Sequence, residues 1–332
     1  MRAAVLHRTN ESLSIDELPE PLAPEGGVVV RLRAAALNHR DSWIRRDQYG
    51  RLRLPCVLGS DGAGEICAVG AGVDGTWMGR RVIIHPSHTW GSDARAQGKE
   101  FLILGMPEQG TLAENIALPL SRVEPLPEHL SFREGAALAL AGLTAYRAVV
   151  SRGELRAGEH VLISGIGGGV ATLALVIARA LGAIISVTSS SAEKLAAAKS
   201  LGASFGANYT TPNWEKELVA QAGRAPTLII DGAGGDGLNA LISCAAPGGR
   251  IVLYGATRGV PRAADLHRLF FKQLDLRGTT MGTGDEFRSL VALFAREQLR
   301  PVIDQAFPLE RINDAMALME ASTQMGKIVI DL

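Results

Sequence analysis

The sequence predicts an α/β fold in two parts: a small, mostly β, barrel-like unit and a parallel sheet wrapped by helices. Three observations lead there. Short apolar strands punctuated by turn residues fill the chain up to about residue 120, strand and helix alternate after it, and a glycine-rich loop joins a buried strand to a helix. A length of 332 residues suits two domains.

The β-rich part is read from "VVVRLRAAAL" (28–37), "GEICAVG" (64–70) and "RVIIHP" (81–86). Prolines 119, 125 and 127 then break the pattern, and Ser131 with Glu134 forms a capping box that starts a helix. Beyond it come "HVLISG", an apolar helix through Ala180, "AIISVTS", the helix "SAEKLAAAKSLG", "TLIIDGAG" and "GGRIVLYGA". These strands are apolar without alternation, as burial on both faces requires. The last segment, "ERINDAMALMEASTQMGKIVIDL", reads as an amphipathic helix and a strand that returns to the first part.

Composition narrows the function. The chain is 47% hydrophobic, and its 34 basic residues balance 34 acidic ones, so no strong field draws it to nucleic acid or an anionic membrane. No basic aromatic patch suggests RNA. Three scattered cysteines, Cys56, Cys67 and Cys244, are too few for a disulfide framework and point to a reducing, cytoplasmic setting. The N-terminal stretch lacks a signal peptide's apolar core, and no apolar run reaches the roughly 20 residues that span a bilayer.

The loop "SGIGGGVA" places Gly165, Gly168 and Ala171 at three-residue steps between strand and helix. Small residues there admit a pyrophosphate close to the backbone and aim amide hydrogens at it. A second strand ends about 20 residues on, which completes the context of a dinucleotide site. An NAD enzyme carries a ribose-binding carboxylate at the end of that strand. This chain instead reads Thr188-Ser189-Ser190-Ser191, with Lys194 one helical turn later. Hydroxyls and an ammonium suit a 2′-phosphate, so NADP(H) is the expected cofactor. The same serines also suit a helix cap.

Taken together, "LNHRD", "LPCVLGSDGAGEICAVG", "GTLAENIALP", "GLTAYRAVV", "GIGGGVA", "IIDGAGG", "PGGRIVLYGATRG" and "GKIVIDL" make the chain resemble the medium-chain dehydrogenase/reductase superfamily over essentially its whole length. The likeness is to the zinc-independent, zeta-crystallin-like quinone oxidoreductase branch. It implies a GroES-like β-barrel catalytic domain over 1–121 and 283–332, with a Rossmann doubly wound parallel-sheet domain inserted at 122–282. It further implies that Gly167, Gly168, Gly169 and Val170 lie on the pyrophosphate and that Ser190, Lys194 and Tyr209 lie on the 2′-phosphate. Thr144, Gly255, Ala256, Thr280 and Met281 would frame the nicotinamide, and a homodimer would pair late strands of the sheet.

No metal is expected. The zinc branch carries a cysteine near where Asn38 or His39 stands and Gly-His-Glu where this chain reads Gly59-Ser60-Asp61, and the segment 91–110 has no cysteine. His85 and His88 lack a third ligand nearby and read as loop residues. Without a Lewis acid, the expected acceptors are those that delocalise charge, a quinone or an α,β-unsaturated carbonyl. Asn38, Trp43, Tyr49 and Trp90 are the side chains expected around the acceptor, with Asp41 structural; Asn38 reads equally as the best donor to the acceptor or as a residue that holds its loop through backbone hydrogen bonds. The alternatives are a metal-free alcohol dehydrogenase or carbonyl reductase, and a non-catalytic NADPH-binding, crystallin-like or RNA-binding protein. The long polar loop 88–110 reads either as a lid or as a surface excursion.

Overall fold

The computed structural model describes residues 1–50 and 52–332. The chain forms two compact units, Met1–Leu143 with Gly282–Leu332, and Thr144–Met281. The first division falls at 143/144, where the sequence reading placed it at 121/122. The reason lies in the helix Phe132–Tyr146. Its start is fixed as expected, with the Ser131 amide donating to Glu134 Oε2 at 2.8 Å and the Glu134 amide to Ser131 Oγ at 3.3 Å. Ala136 and Ala137 on it are fully buried against Ala34, Ala36, Ala63 and Val329. Such a layer of alanines brings helix and sheet close together, so most of the helix belongs to the first core.

The first unit is built on a seven-stranded sheet centred on the strand Gly27–Ala36. That strand pairs antiparallel with Asp61–Val69 along eight residue pairs and with Asn115–Pro119 along five. The C-terminal strand Lys327–Asp331 returns to this sheet, lying between Gly27–Ala36 and Ile303–Pro308. Close approach demands glycine at one point of this sheet. A Cβ on Gly64 would fall 2.0 Å from the carbonyl oxygen of Arg31. Segment 88–110 is anchored by three short strands, Ser87–His88, Leu102–Leu104 and Pro107–Glu108.

The second unit is one six-stranded parallel sheet. Numbered along the chain within the unit, its strands His160–Ile163, Ile184–Ser189, Phe205–Asn208, Leu228–Asp231, Arg250–Leu253 and Asp275–Gly278 lie in the order 3-2-1-4-5-6. This is the doubly wound Rossmann order, in which the chain reverses direction beside the first strand and ligands bind outside the carboxyl ends of the strands. The helix Gly169–Ala180 is buried continuously from Ala171 to Ala178, as an all-round apolar helix must be.

Candidate functional site

In the second unit the strand His160–Ile163 leads through Ser164–Gly168 into the helix Gly169–Ala180. Thr188, at the end of the neighbouring strand, holds the loop: the Gly165 amide donates to Thr188 Oγ1 at 3.1 Å and the Ile166 amide to the Thr188 carbonyl at 2.8 Å. Gly165 has φ +64°, a conformation that favours glycine. Gly168 is different. It caps the helix at φ −79°, which any residue adopts, and a Cβ there would meet nothing within 4 Å. Nothing in the protein requires glycine at that point, whereas a pyrophosphate seated on the first turn of the helix does. Gly169, Val170 and Ala171 open the helix, where amide hydrogens have no intrahelical acceptor and the helix dipole favours an anion. The loop therefore fits a dinucleotide.

At the end of the strand Ile184–Ser189 the serines divide their work. Ser191 caps the helix Ala192–Ser200, its Oγ accepting from the Lys194 amide at 3.1 Å. Ser189 is buried and its Oγ accepts from the Ser191 amide at 3.1 Å. Ser189, expected to offer its hydroxyl to the cofactor, thus has its oxygen engaged at the base of the turn. Ser190 is exposed, and Tyr209 donates its hydroxyl to Ser190 Oγ at 3.2 Å. The Tyr209 amide also donates to the Ser189 carbonyl at 3.3 Å, which fixes the phenol beside the serine. Lys194 lies half-buried in the first turn of the helix. Arg258, absent from the sequence reading, places its guanidinium 5.4 Å from the Tyr209 ring centroid.

The residues expected to frame the nicotinamide fall in two groups. Thr144 and Met281 come together, with Thr144 Oγ1 3.9 Å from Met281 Sδ. Met281 is buried at φ +43°, a strained conformation for a side-chain-bearing residue of the kind that clusters at functional sites. Gly255 and Ala256 follow the strand Arg250–Leu253, and Thr280 follows Asp275–Gly278, both at carboxyl ends of the sheet.

The first unit holds a buried polar knot. Lys327 Nζ donates to Asp61 Oδ2 at 2.8 Å, Asn38 Oδ1 at 2.7 Å and the Leu37 carbonyl at 2.6 Å. Asn38 Nδ2 donates to Asp61 Oδ2 at 2.9 Å, and Asp61 Oδ1 accepts from the Leu140 amide at 2.7 Å. Asn38, expected to face an acceptor, thus has both ends of its carboxamide tied into the protein. Arg40 makes a second knot, donating to Ser60 Oγ at 2.6 Å and to the carbonyls of Leu104 and Met106. Asp41 accepts from the Asn38 amide at 2.8 Å, and burial raises its carboxyl above the usual range against the pull of nearby Arg40.

On the helix His39–Arg45, Trp43 stacks on His39 with centroids 6.2 Å apart, and both rings stay half-exposed. Burial, then the Lys327 charge, lowers the His39 pKa, favouring a neutral ring. Tyr49 lies under the Arg40 guanidinium, 5.0 Å from its ring centroid. Trp90, also expected around the acceptor, is engaged within its own loop. It is buried, donating to the Asp93 carbonyl at 3.0 Å and packing edge-on to Phe101. No sequence signal distinguished its packing role, since a loop tryptophan serves either purpose.

Comparison with known proteins places these units. The alcohol dehydrogenase GroES-like domain model matches residues 24–128, and the zinc-binding dehydrogenase model matches residues 169–296. The chain is 36% identical to the zinc-type alcohol dehydrogenase-like protein YogA of Leptosphaeria maculans, over 96% of this chain and 94% of that one. It is 34% identical to a zinc-type alcohol dehydrogenase-like protein of Schizosaccharomyces pombe, over 95% and 93%. The crystal structure of an NAD-dependent alcohol dehydrogenase superposes with a TM-score of 0.95 at 36% identity, covering all of both chains. Zinc, present in the names of the family model and of these relatives, does not fit the residues here. Among the described residues no three His, Cys, Asp or Glu side chains gather as a metal requires. At the positions where the zinc branch carries its ligands, Asp61 is neutralised by Lys327 and Ser60 is bound by Arg40, so two fixed cations already sit there. With its GroES-like and Rossmann units and its nicotinamide-nucleotide loop, the chain belongs to the medium-chain dehydrogenase/reductase superfamily of oxidoreductases.

Proposed function

We propose that the protein is an NADPH-dependent reductase of quinones or α,β-unsaturated carbonyls that works without a metal. The observation that carries this reading is the pair of cationic knots, Lys327 with Asp61 and Asn38, and Arg40 with Ser60, standing at the zinc-ligand positions. An ammonium bonded to three oxygens cannot polarise a substrate alcohol as an open metal site does. The favoured substrates are therefore ones whose own conjugation spreads the charge that hydride addition leaves behind. When bound, NADPH would supply the hydride, and a proton from solvent or a side chain completes the reduction. The chain's part is to bind, orient and exclude water. Loop 165–170 takes the pyrophosphate, and Ser190, Lys194 and Tyr209 take the 2′-phosphate. Thr144, Gly255, Ala256, Thr280 and Met281 border the nicotinamide. His39 and Trp43 on the helix His39–Arg45, and Tyr49 beyond it, are half-exposed and offer an aromatic surface to a flat acceptor.

Steady-state assays with NADPH and NADH against a panel of quinones and enones test the reading. Turnover of several acceptors with NADPH, and no zinc by elemental analysis of the active protein, is the expected result. Inactivity on all of them at saturating NADPH sinks it. The relatives' names favour a second reading, an alcohol dehydrogenase or carbonyl reductase. Oxidation of simple alcohols by protein carrying about one zinc per chain would establish it.

The same proposal includes a homodimer. The strand Asp275–Gly278 is an edge of the parallel sheet; Leu276 on it and Leu266, Phe270 and Phe271 on the helix that precedes it are exposed. An unpaired edge with an apolar margin is a liability that pairing with a second copy removes. Light scattering giving the mass of one chain at micromolar concentration would contradict it. No helix among the described residues is long and apolar enough to cross a membrane. The three cysteines are free, which suits a reducing compartment such as the cytoplasm.

A further inference from the structure

The corner formed by Ser190 and Tyr209 contains a group that the reading above does not use. Arg258 lies in the exposed turn that follows the strand Arg250–Leu253. Some arginines of this unit find carboxylates, as Arg250 with Glu159, Arg262 with Asp236 and Arg277 with Glu154 and Asp275, and others, as Arg179 and Arg224, find backbone carbonyls. Arg258 has no such partner. Among the described residues its guanidinium makes no hydrogen bond or ion pair with the protein, and it lies over the face of Tyr209.

The backbone holds it there. The Arg258 amide donates to the Ala233 carbonyl at 2.8 Å, the Thr257 amide to Gly232 at 3.3 Å, and the Gly235 amide to the Gly259 carbonyl at 2.8 Å. Gly235 has φ +60°, and a Cβ on it would fall 2.9 Å from the Arg258 carbonyl oxygen. Two loops at the carboxyl ends of neighbouring strands are thus fastened together, and the arginine projects from the fastening. A guanidinium on a ring keeps its planar fork of donors available at its edge, and a phosphate is the group that fork matches best. Tyr209 already carries Ser190 on its hydroxyl, so one phenol gathers a neutral donor and a cation at a single corner.

We infer that Arg258 is a cofactor-selecting residue, supplying the second cation, with Lys194, for the 2′-phosphate of NADP(H). The inference rests on the NADPH reading proposed above and deepens it. A phosphate monoester carries close to two negative charges at neutral pH, which one lysine only partly balances. The uncharged 2′-hydroxyl of NAD(H) gains nothing from a guanidinium in this position, so the residue acts on the choice between cofactors rather than on hydride transfer.

Calorimetric titration with 2′,5′-ADP and with 5′-AMP, which lacks the 2′-phosphate, tests the inference independently of turnover. Wild type, Arg258→Leu, Arg258→Lys and Lys194→Ala are compared, with thermal melts to confirm folding. The expected result is that Arg258→Leu weakens 2′,5′-ADP about tenfold or more while 5′-AMP stays within about twofold, with Arg258→Lys between. Unchanged 2′,5′-ADP binding in Arg258→Leu, alongside a loss in Lys194→Ala, overturns the inference and leaves the NADPH reading standing. Equal weakening of both nucleotides in Arg258→Leu also overturns it, since that marks a contact with the shared adenosine. Equal affinity of wild type for the two nucleotides overturns the NADPH reading itself.

Discussion

Three neighbouring serines with three different environments show how much one position decides. Ser191 caps a helix, Ser189 is buried under a turn, and Ser190 alone is exposed beside Tyr209. Their side chains are chemically identical, so the difference lies in where the strand ends. Lys194→Ala is expected to lower kcat/KM for NADPH about tenfold, by removing one charge-assisted contact, and to leave NADH nearly unchanged. Ser190→Asp should go further, because a carboxylate repels the phosphate and offers itself to the ribose hydroxyls of NAD. Ser189→Ala should cost about 1 kcal/mol of stability through the lost bond to the Ser191 amide, with the cofactor ratio unmoved. Kinetics of these variants with both cofactors, beside their melting temperatures, check all three. A wild-type preference for NADH would show the serines to be only a cap and a turn.

At the scale of elements, the first unit is closed by a strand from the far end of the chain. Lys327 begins the strand Lys327–Asp331, and its ammonium joins Asp61, at the start of Asp61–Val69, to the turn at Leu37 and Asn38. Lysine and aspartate are 3% and 0% exposed as side chains, so neither has water to fall back on. Lys327→Met is expected to cost about 3–5 kcal/mol, because it strands a buried carboxylate. The double variant Lys327→Met with Asp61→Asn should recover part of that loss. Urea unfolding of the three proteins separates the cost of an orphaned charge from the worth of the pair. The helix Gly284–Arg296 is set by a simpler device. Thr283 Oγ1 accepts from the Glu286 amide at 3.1 Å while Glu286 returns to the Thr283 amide at 2.7 Å. Thr283→Ala should lower stability by about 1 kcal/mol in the same experiment.

For the molecule as a whole, several half-buried or buried histidines share one direction. Burial lowers the pKa of His39, His85 and His160, and takes His85 to about 4 beside the ring of Phe287. Each is held neutral in the fold, so below pH 6.5 the unfolded chain binds protons that the folded chain refuses. Stability is therefore full above about pH 6.5 and falls as the pH drops toward 4. His85 alone accounts for up to about 3 kcal/mol of that fall. His85→Asn should flatten the slope of unfolding free energy against pH within this window and leave it unaltered above pH 7. An unchanged slope would mean that His85 is not the group refusing the proton.

The amino-acid sequence determined the class of each unit and the kind of ligand. Strand and helix alternation after residue 131 and the run "SGIGGGVA", which marks a dinucleotide site, are local signals, written within a few turns of chain. Buried parallel strands and an anion-binding helix start require those residue types wherever they occur. The fold settled what depends on residues remote in sequence. Asn38 read equally as a substrate donor or a structural residue, and only Lys327, which lies 289 residues on, shows what holds its carboxamide. The boundary at 143/144 follows from alanines that pack on strands from both ends of the chain. Arg258 stood in a turn with no pattern of its own, and only the folded loops at the carboxyl ends of the sheet brought Tyr209 beneath its guanidinium. A hydrogen-bond partner or a ring face is a property of position in space, and composition and periodicity along the chain carry no record of it.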